Sequence, residues 1–135
     1  MAKMSDYLEV ELRKHIFRTG SFTKPIVLAV SLHTADPLDD GTGAEVSGGG
    51  YARQDLPPLD ANWTGLSLTD GLTDNAVEIN FGTATAPWGT VTHFGIWDAL
   101  TLGNLLVHGV LTVSKTINSG DSAKFAIGAL DVTFS

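Results

Sequence analysis

At 135 residues the chain has the length of one domain and can bury roughly two thirds of the surface its unfolded form exposes, so one core suffices without staples. The absence of cysteine excludes a disulfide framework and a thiolate metal site. A formal net charge of −7, from 15 acidic against 8 basic residues with no basic run, lacks the electrostatic footprint of a nucleic-acid-binding protein.

Hydrophobic residues make up 43% and charged residues only 17% of the chain, the latter against an ordinary share of about a quarter. That balance points to surface buried against other chains, with a β-rich monomer as the plain alternative. The start, Met1-Ala2-Lys3-Met4-Ser5-Asp6, has no apolar leader core, and no run approaches a membrane span. The expectation is a soluble protein made in a cytoplasm, with no membrane partner.

The opening segment reads as a helix from Ser5 or Asp6 to about Arg18. Either residue can cap it, Asp6 and Glu9 have capping-box spacing, and Gly20 is placed to end it. Leu8, Leu12 and Ile16 make one apolar stripe, while Val10 and Phe17 lie nearly opposite. One face covers the core; the other is an exposed patch or docks on a neighbour. Next, Ile26 to His33 is apolar on both alternating faces, which reads as a central strand covered on both sides. Pro25 before it and Asp36-Pro37-Leu38-Asp39-Asp40-Gly41 after it leave too little room for a helix.

Thr34 to Gly50 is a long loop without periodicity, of the kind that is functional or held by a partner. Gly48 to Gly50 are expected to supply positive-φ or bulge geometry leading into a strand at Tyr51 to Gln54. Leu56-Pro57-Pro58-Leu59 is an extended connector. Asn62 to Leu68 reads as an irregular strand and Thr69-Asp70-Gly71 as a turn. Ala76 to Phe81 alternates, with Val77, Ile79 and Phe81 inward. Gly82 to Gly89 is a loop whose Trp88 is a lid or a contact residue. Thr90 to Asp98 places Thr92, Phe94 and Ile96 on one face and Val91, His93, Gly95 and Trp97 on the other. Leu105 to Thr112 pairs back on it as a hairpin, and Val113 to Ile117 continues or bends. Asn118 to Asp121 turns the chain, Lys124 to Ile127 runs back, and a last strand carries Leu130, Val132 and Phe134.

Seven to nine strands with short connections give an all-β fold with one N-terminal helix, an antiparallel β-sandwich. A jelly roll, another Greek key and an up-and-down barrel all remain open. The domain is single, 1–135, with a helical arm at 1–24 and the sandwich at 25–135.

No residue pattern carries chemistry. Asp36, Asp39, Asp40 and Glu45 invite a calcium reading, but Leu38 stands where a second acidic ligand belongs. The triple glycine lacks the Gly-Lys-Ser/Thr of a phosphate loop. His33, His93 and His108 would form a metal or relay site only if they converged; isolated strand histidines are more often hydrogen-bonded structural residues. No serine sits in a nucleophile elbow. Trp63, Trp88 and Trp97 could make a sugar-stacking platform, or be absorbed by the core and loop lids. The chain is expected to be no enzyme and to need no cofactor or metal.

Three segments carry a resemblance: His33-Thr34-Ala35-Asp36-Pro37 with Asp40 to Gln54, Trp88 to Asp98, and Gly103-Asn104-Leu105-Leu106, beside the helix opening Tyr7-Leu8-Glu9-Val10-Glu11-Leu12. Together they resemble a family of small tailed-bacteriophage proteins often labelled tail-fibre-like. The resemblance spans nearly the whole chain and implies a virion structural protein with no catalytic residue to transfer. A compact acidic β domain without a repetitive shaft or a basic inner surface then suits a head decoration (cement) protein. On that expectation it is a homotrimer on the capsid exterior, made in the bacterial host cytoplasm and bound to the major capsid protein. A tail or tail-fibre component meeting a host receptor is the alternative. The expected interface is Tyr7, Val10 and Phe17 on the helix, Asp36, Asp39, Asp40, Tyr51 and Arg53 in and beside the long loop, and Trp88.

Overall fold

The fold is taken from a computed structural model that describes residues 2–65 and 69–134. Its elements in chain order are β1 (Ala2–Met4), α1 (Asp6–Phe17), β2 (Ala29–His33), β3 (Gln54–Asp55), β4 (Leu72–Asp74), β5 (Ile79–Thr83), β6 (Gly89–Trp97), β7 (Leu105–Ile117), β8 (Ser122–Phe125) and β9 (Asp131–Thr133). A five-stranded sheet has the order β1-β7-β6-β2-β3, and two ribbons pair β4 with β9 and β5 with β8. Every pairing is antiparallel. The protein is an all-β sandwich with one short N-terminal helix, as its strand-and-turn spacing predicts.

The main core lies between the large sheet and the ribbons. Val30, Leu32, Phe94, Ile96, Val107 and Ile117 from the sheet meet Ile79, Phe81 and Ala123 from one ribbon and Val132 from the other. The opposite face of the sheet holds a smaller cluster of Ala29, Trp97 and Leu105. β2 sits between them with all five residues buried, so the expected central strand is covered on both sides. It starts at Ala29 rather than Ile26, because its neighbours reach only as far as Trp97 and Asp55, both opposite Ala29. Ile26, without a strand beside it, is 87% exposed.

The helix is capped by Ser5, whose hydroxyl accepts from the Leu8 N–H at 3.1 Å and donates to the Leu105 carbonyl. Ser5 N–H also donates to Leu106 O, so the cap ties the helix start to β7. Asp6 is the first helical residue, not the cap. The helix ends at Phe17 with Arg18 extended, before Gly20. Leu8 and Leu12 pack on the core as expected, but Ile16 does not: the last turn overhangs the sheet, leaving Ile16 and Phe17 exposed.

Two irregularities in the large sheet reset side-chain parity. On β6 and β7, Val91 pairs with Lys115 and His93 with Val110, so Leu111, Thr112, Val113 and Ser114 stand opposite Thr92 alone. This wide bulge puts Val91 into the same core as Phe94 and Ile96, where simple alternation placed it on the other face. A second shift between Ile96 and Trp97 lets Leu106 and Val107 both reach the main core.

The expected strand at 51–54 is realised only as β3, and that at 124–127 as β8. Of the strand expected over 62–68, Trp63 makes one bridge to Asn75, and positions 66–68 lie outside the described residues. Strands β1 and β4 carry no periodic signal of their own.

Ser5→Ala removes both the helix cap and the bond to Leu105. It is expected to lower unfolding free energy by about 1–2 kcal/mol, read as a lower urea midpoint with an unchanged slope.

Candidate functional site

The Thr34–Gly50 loop folds back over the outer face of the sheet. Thr34 N–H bonds to Ala44 O and Val46 N–H to Leu32 O, which makes the loop's return leg an irregular neighbour of β2. Gly48, Gly49 and Gly50 all take positive φ, as expected. At Gly49 a Cβ would stand 2.8 Å from the Ala86 carbonyl and 2.9 Å from Trp88 Nε1, so the backbone can approach the indole only without a side chain.

Arg53 fastens this loop. Its Nε and Nη2 donate to the two oxygens of Glu45 at 2.8 Å each, and its Nη1 donates to the carbonyls of Ala99 (3.1 Å) and Leu102 (2.8 Å). The guanidinium lies 3.9 Å from the Trp97 ring centroid. Tyr51 completes the arrangement: its hydroxyl accepts from Leu32 N–H at 2.9 Å and donates to Glu45 at 3.1 Å. Burial pushes the Glu45 carboxyl up, but the Arg53 fork and the Tyr51 hydroxyl outweigh it and hold the group below its ordinary range. Burial raises the Tyr51 hydroxyl well above its ordinary value.

Beneath the loop runs a buried polar chain. Trp97 Nε1 donates to Ser31 Oγ at 2.8 Å, and Ser31 Oγ lies 2.8 Å from His33 Nε2. Gly95 makes room for this contact: a Cβ there would stand 2.7 Å from Ser31 Oγ. Burial pushes His33 down to about 4 from 6.5, against the pull of the Glu45 carboxylate.

The sequence-predicted interface residues divide into two groups. Tyr7, Val10 and Phe17 are exposed, Phe17 at 77%. Asp36, Asp39 and Asp40 are at the surface, but each is occupied locally. Asp36 accepts from Leu38 N–H, which holds its carboxyl below the usual range. Asp39 meets the buried His108 at 2.8 Å, and Asp40 accepts from the Thr42 hydroxyl and N–H.

Tyr51, Arg53 and Trp88, the second group, make their contacts within the chain. Tyr51 stacks on Phe81 and meets Trp88 edge-on, the Arg53 side chain is only 9% exposed, and Trp88 is 4% exposed with its Nε1 donating to Gly49 O. All three bind parts of the chain to one another, because the long loop closes on its own sheet. The opposite charges of Glu45 and Arg53 flanking three glycines were the available signal.

The other candidate chemistry separates in space. His33 and His93 are register partners, yet His33 bonds to Ser31, His93 to Thr92 and His108 to Asp39. Among the described residues no group of three or more His, Asp or Glu is placed to hold a metal ion. Each tryptophan N–H is taken, by Leu56 O, Gly49 O and Ser31 Oγ, and one Trp97 face is covered by Arg53. Trp63, half-buried, borders an apolar cleft of about 680 Å³ with Phe22, Leu28, Leu59, Val132 and Phe134. The exterior carries exposed apolar side chains beside acids and lysines.

A family model described as "Podophage GP4 fiber I protein gp80" matches residues 3–133. No curated protein matches the chain.

Two measurements probe the loop fastening. Arg53→Met leaves Glu45 with the Tyr51 hydroxyl alone and takes a donor from two carbonyls, and is expected to cost about 3 kcal/mol of stability, with Arg53→Lys recovering only part of it. Because His33 is depressed from 6.5 to about 4, the unfolded chain takes up the proton first as pH falls. Stability present above pH 6.5 is therefore lost between 6.5 and about 4, by roughly 3 kcal/mol. His33→Gln should flatten that limb of the stability-versus-pH curve; an equally steep fall in the variant assigns it elsewhere.

Proposed function

The chain belongs to the podophage GP4 fiber I protein gp80 family, a family of phage virion structural proteins, and from that premise we propose that it is a fibre component that works by adhesion, with no reaction of its own. The family match across residues 3–133 carries the reading. The geometry supports it: of the titratable groups with altered behaviour, the buried ones, His33, Glu45 and Tyr51, are bound into the loop fastening. Several large apolar side chains face outward, among them Val10, Ile16 and Phe17 on the helix. Exposed apolar groups of this size are characteristic of surfaces that pack against another protein.

A second reading, head decoration bound to the major capsid protein as a homotrimer, is favoured by one observation. Strand, ribbon and helix close around a single main core, with no repeating shaft among the described residues. The two readings differ in place and number. Gold-labelled antibody on intact particles, with copies per particle counted by quantitative mass spectrometry, is expected to mark the tail region at low copy number. Heads lacking the protein should then resist heat as well as complete ones. Label spread over the capsid at one or more copies per capsid subunit overturns the fibre reading in favour of decoration.

A further inference from the structure

Among the described residues only two non-glycine positions have positive φ, and both are leucines: Leu38 at 63° and Leu102 at 55°. A branched side chain disfavours this conformation, which glycine or asparagine adopts easily. Strain of this kind persists where the surroundings impose it and collects at sites of function. Neither leucine is compensated by burial, since Leu38 is 51% and Leu102 86% exposed.

Both lie at the same end of the molecule, and both are held from behind. Arg53 grips the Leu102 carbonyl, and Leu38 O accepts from Gly41 N–H, with Gly41 packed against Trp97 and Leu105. The helix start joins them: Asp6 N–H bonds to Asp39 O, and Ser5 is bonded to Leu105. Tyr7 and Leu100 are exposed on the helix start and on the turn after β6. The apolar side chains are thus presented on a rigid backing, the condition for an anchor with little entropy to lose on binding.

The rim is acidic. Asp6, Asp39 and Asp40 are exposed and Asp36 half-exposed. Of the nearby cations Arg53 is held by Glu45 and Lys14 by Glu11, leaving Lys3, and the buried His108 ring lies 3.4 Å from Asp36 and 2.8 Å from Asp39, so Asp6 and Asp40 carry the rim's unpaired charge.

We infer that the end of the molecule carrying Leu38 and Leu102 is a docking face for a protein surface with an apolar centre and a lysine- or arginine-rich rim. Charge complementarity selects this occupant: a second copy of a chain of net charge −7 would bring acid against acid. The inference rests on the chain being a virion protein, and does not depend on whether it sits on tail or head.

The test uses phage particles assembled in cells that supply the gene in trans, as wild type, as Leu38→Gly/Leu102→Gly or as Asp36→Asn/Asp40→Asn. The glycine pair relieves the backbone and removes the anchors. It is expected to keep or raise the melting temperature of the purified protein while cutting copies per particle more than about tenfold. The asparagine pair keeps the loop's side-chain acceptors and removes charge, and should lower incorporation most at low salt. Wild-type incorporation of the glycine pair, or a lowered melting temperature, overturns the inference, since the leucines would then be idle or structural. Unchanged incorporation of the asparagine pair overturns the basic-rimmed partner. So does sedimentation showing that the purified wild type self-associates and the glycine pair does not. Absence of even the wild-type chain from particles breaks the virion reading itself, and this face with it.

Discussion

The bidentate contact between Arg53 and Glu45 is what the rest of the molecule leans on. The large sheet has two faces but only one layer of ribbons, so its outer face at β2 and β6 must be covered by loop. Loops cover badly, because they bring backbone donors and acceptors that water would otherwise satisfy. A guanidinium solves this with its fork of donors. Two go to a carboxylate, others to the carbonyls of Ala99 and Leu102, and the flat cation rests on Trp97. Ser31 and His33 stay dry beneath, and Leu38 and Leu102 are held at the rim.

The sequence was most informative where pattern alone decides structure. β2 was legible because both parities of its run are apolar, and only a strand with two covered faces needs that. The helix was legible from Leu8 and Leu12, and the C-terminal hairpin from the turns on either side of β7. What pattern could not reach was pairing. Ala2–Met4 and Leu72–Asp74 are strands because β7 and β9 lie beside them, not because of their own residues. Val91 was placed on the wrong face because a bulge is a property of two strands, invisible in one. Tyr51, Arg53 and Trp88 were readable as important but not as internal, since a long loop closing on its own sheet and one closing on a partner look alike in sequence.

The residues that carry the family resemblance are largely those of the fastening. Glu45, Gly49, Tyr51, Arg53, Trp88 and Trp97 all bind the loop to the sheet. Their motif therefore reports how the fold is closed, and leaves open what the closed fold touches. The exposed apolar side chains lie outside that set, on the helix and at the turns, where sequence offers the weakest signal because single exposed hydrophobes are common in any protein.

The four-residue bulge of β7 opposite Thr92 has a consequence for how such a chain behaves in a crowd. β1 pairs with β7 from Val107 to Gly109, so among the described residues β7 has no outer neighbour from Val110 on, and a straight strand there would present a ready template. A particle gathers many copies of its parts into a small volume, where one open template can seed stacking without end. By throwing Leu111 to Ser114 out of register, the bulge makes that border a poor match for its own kind.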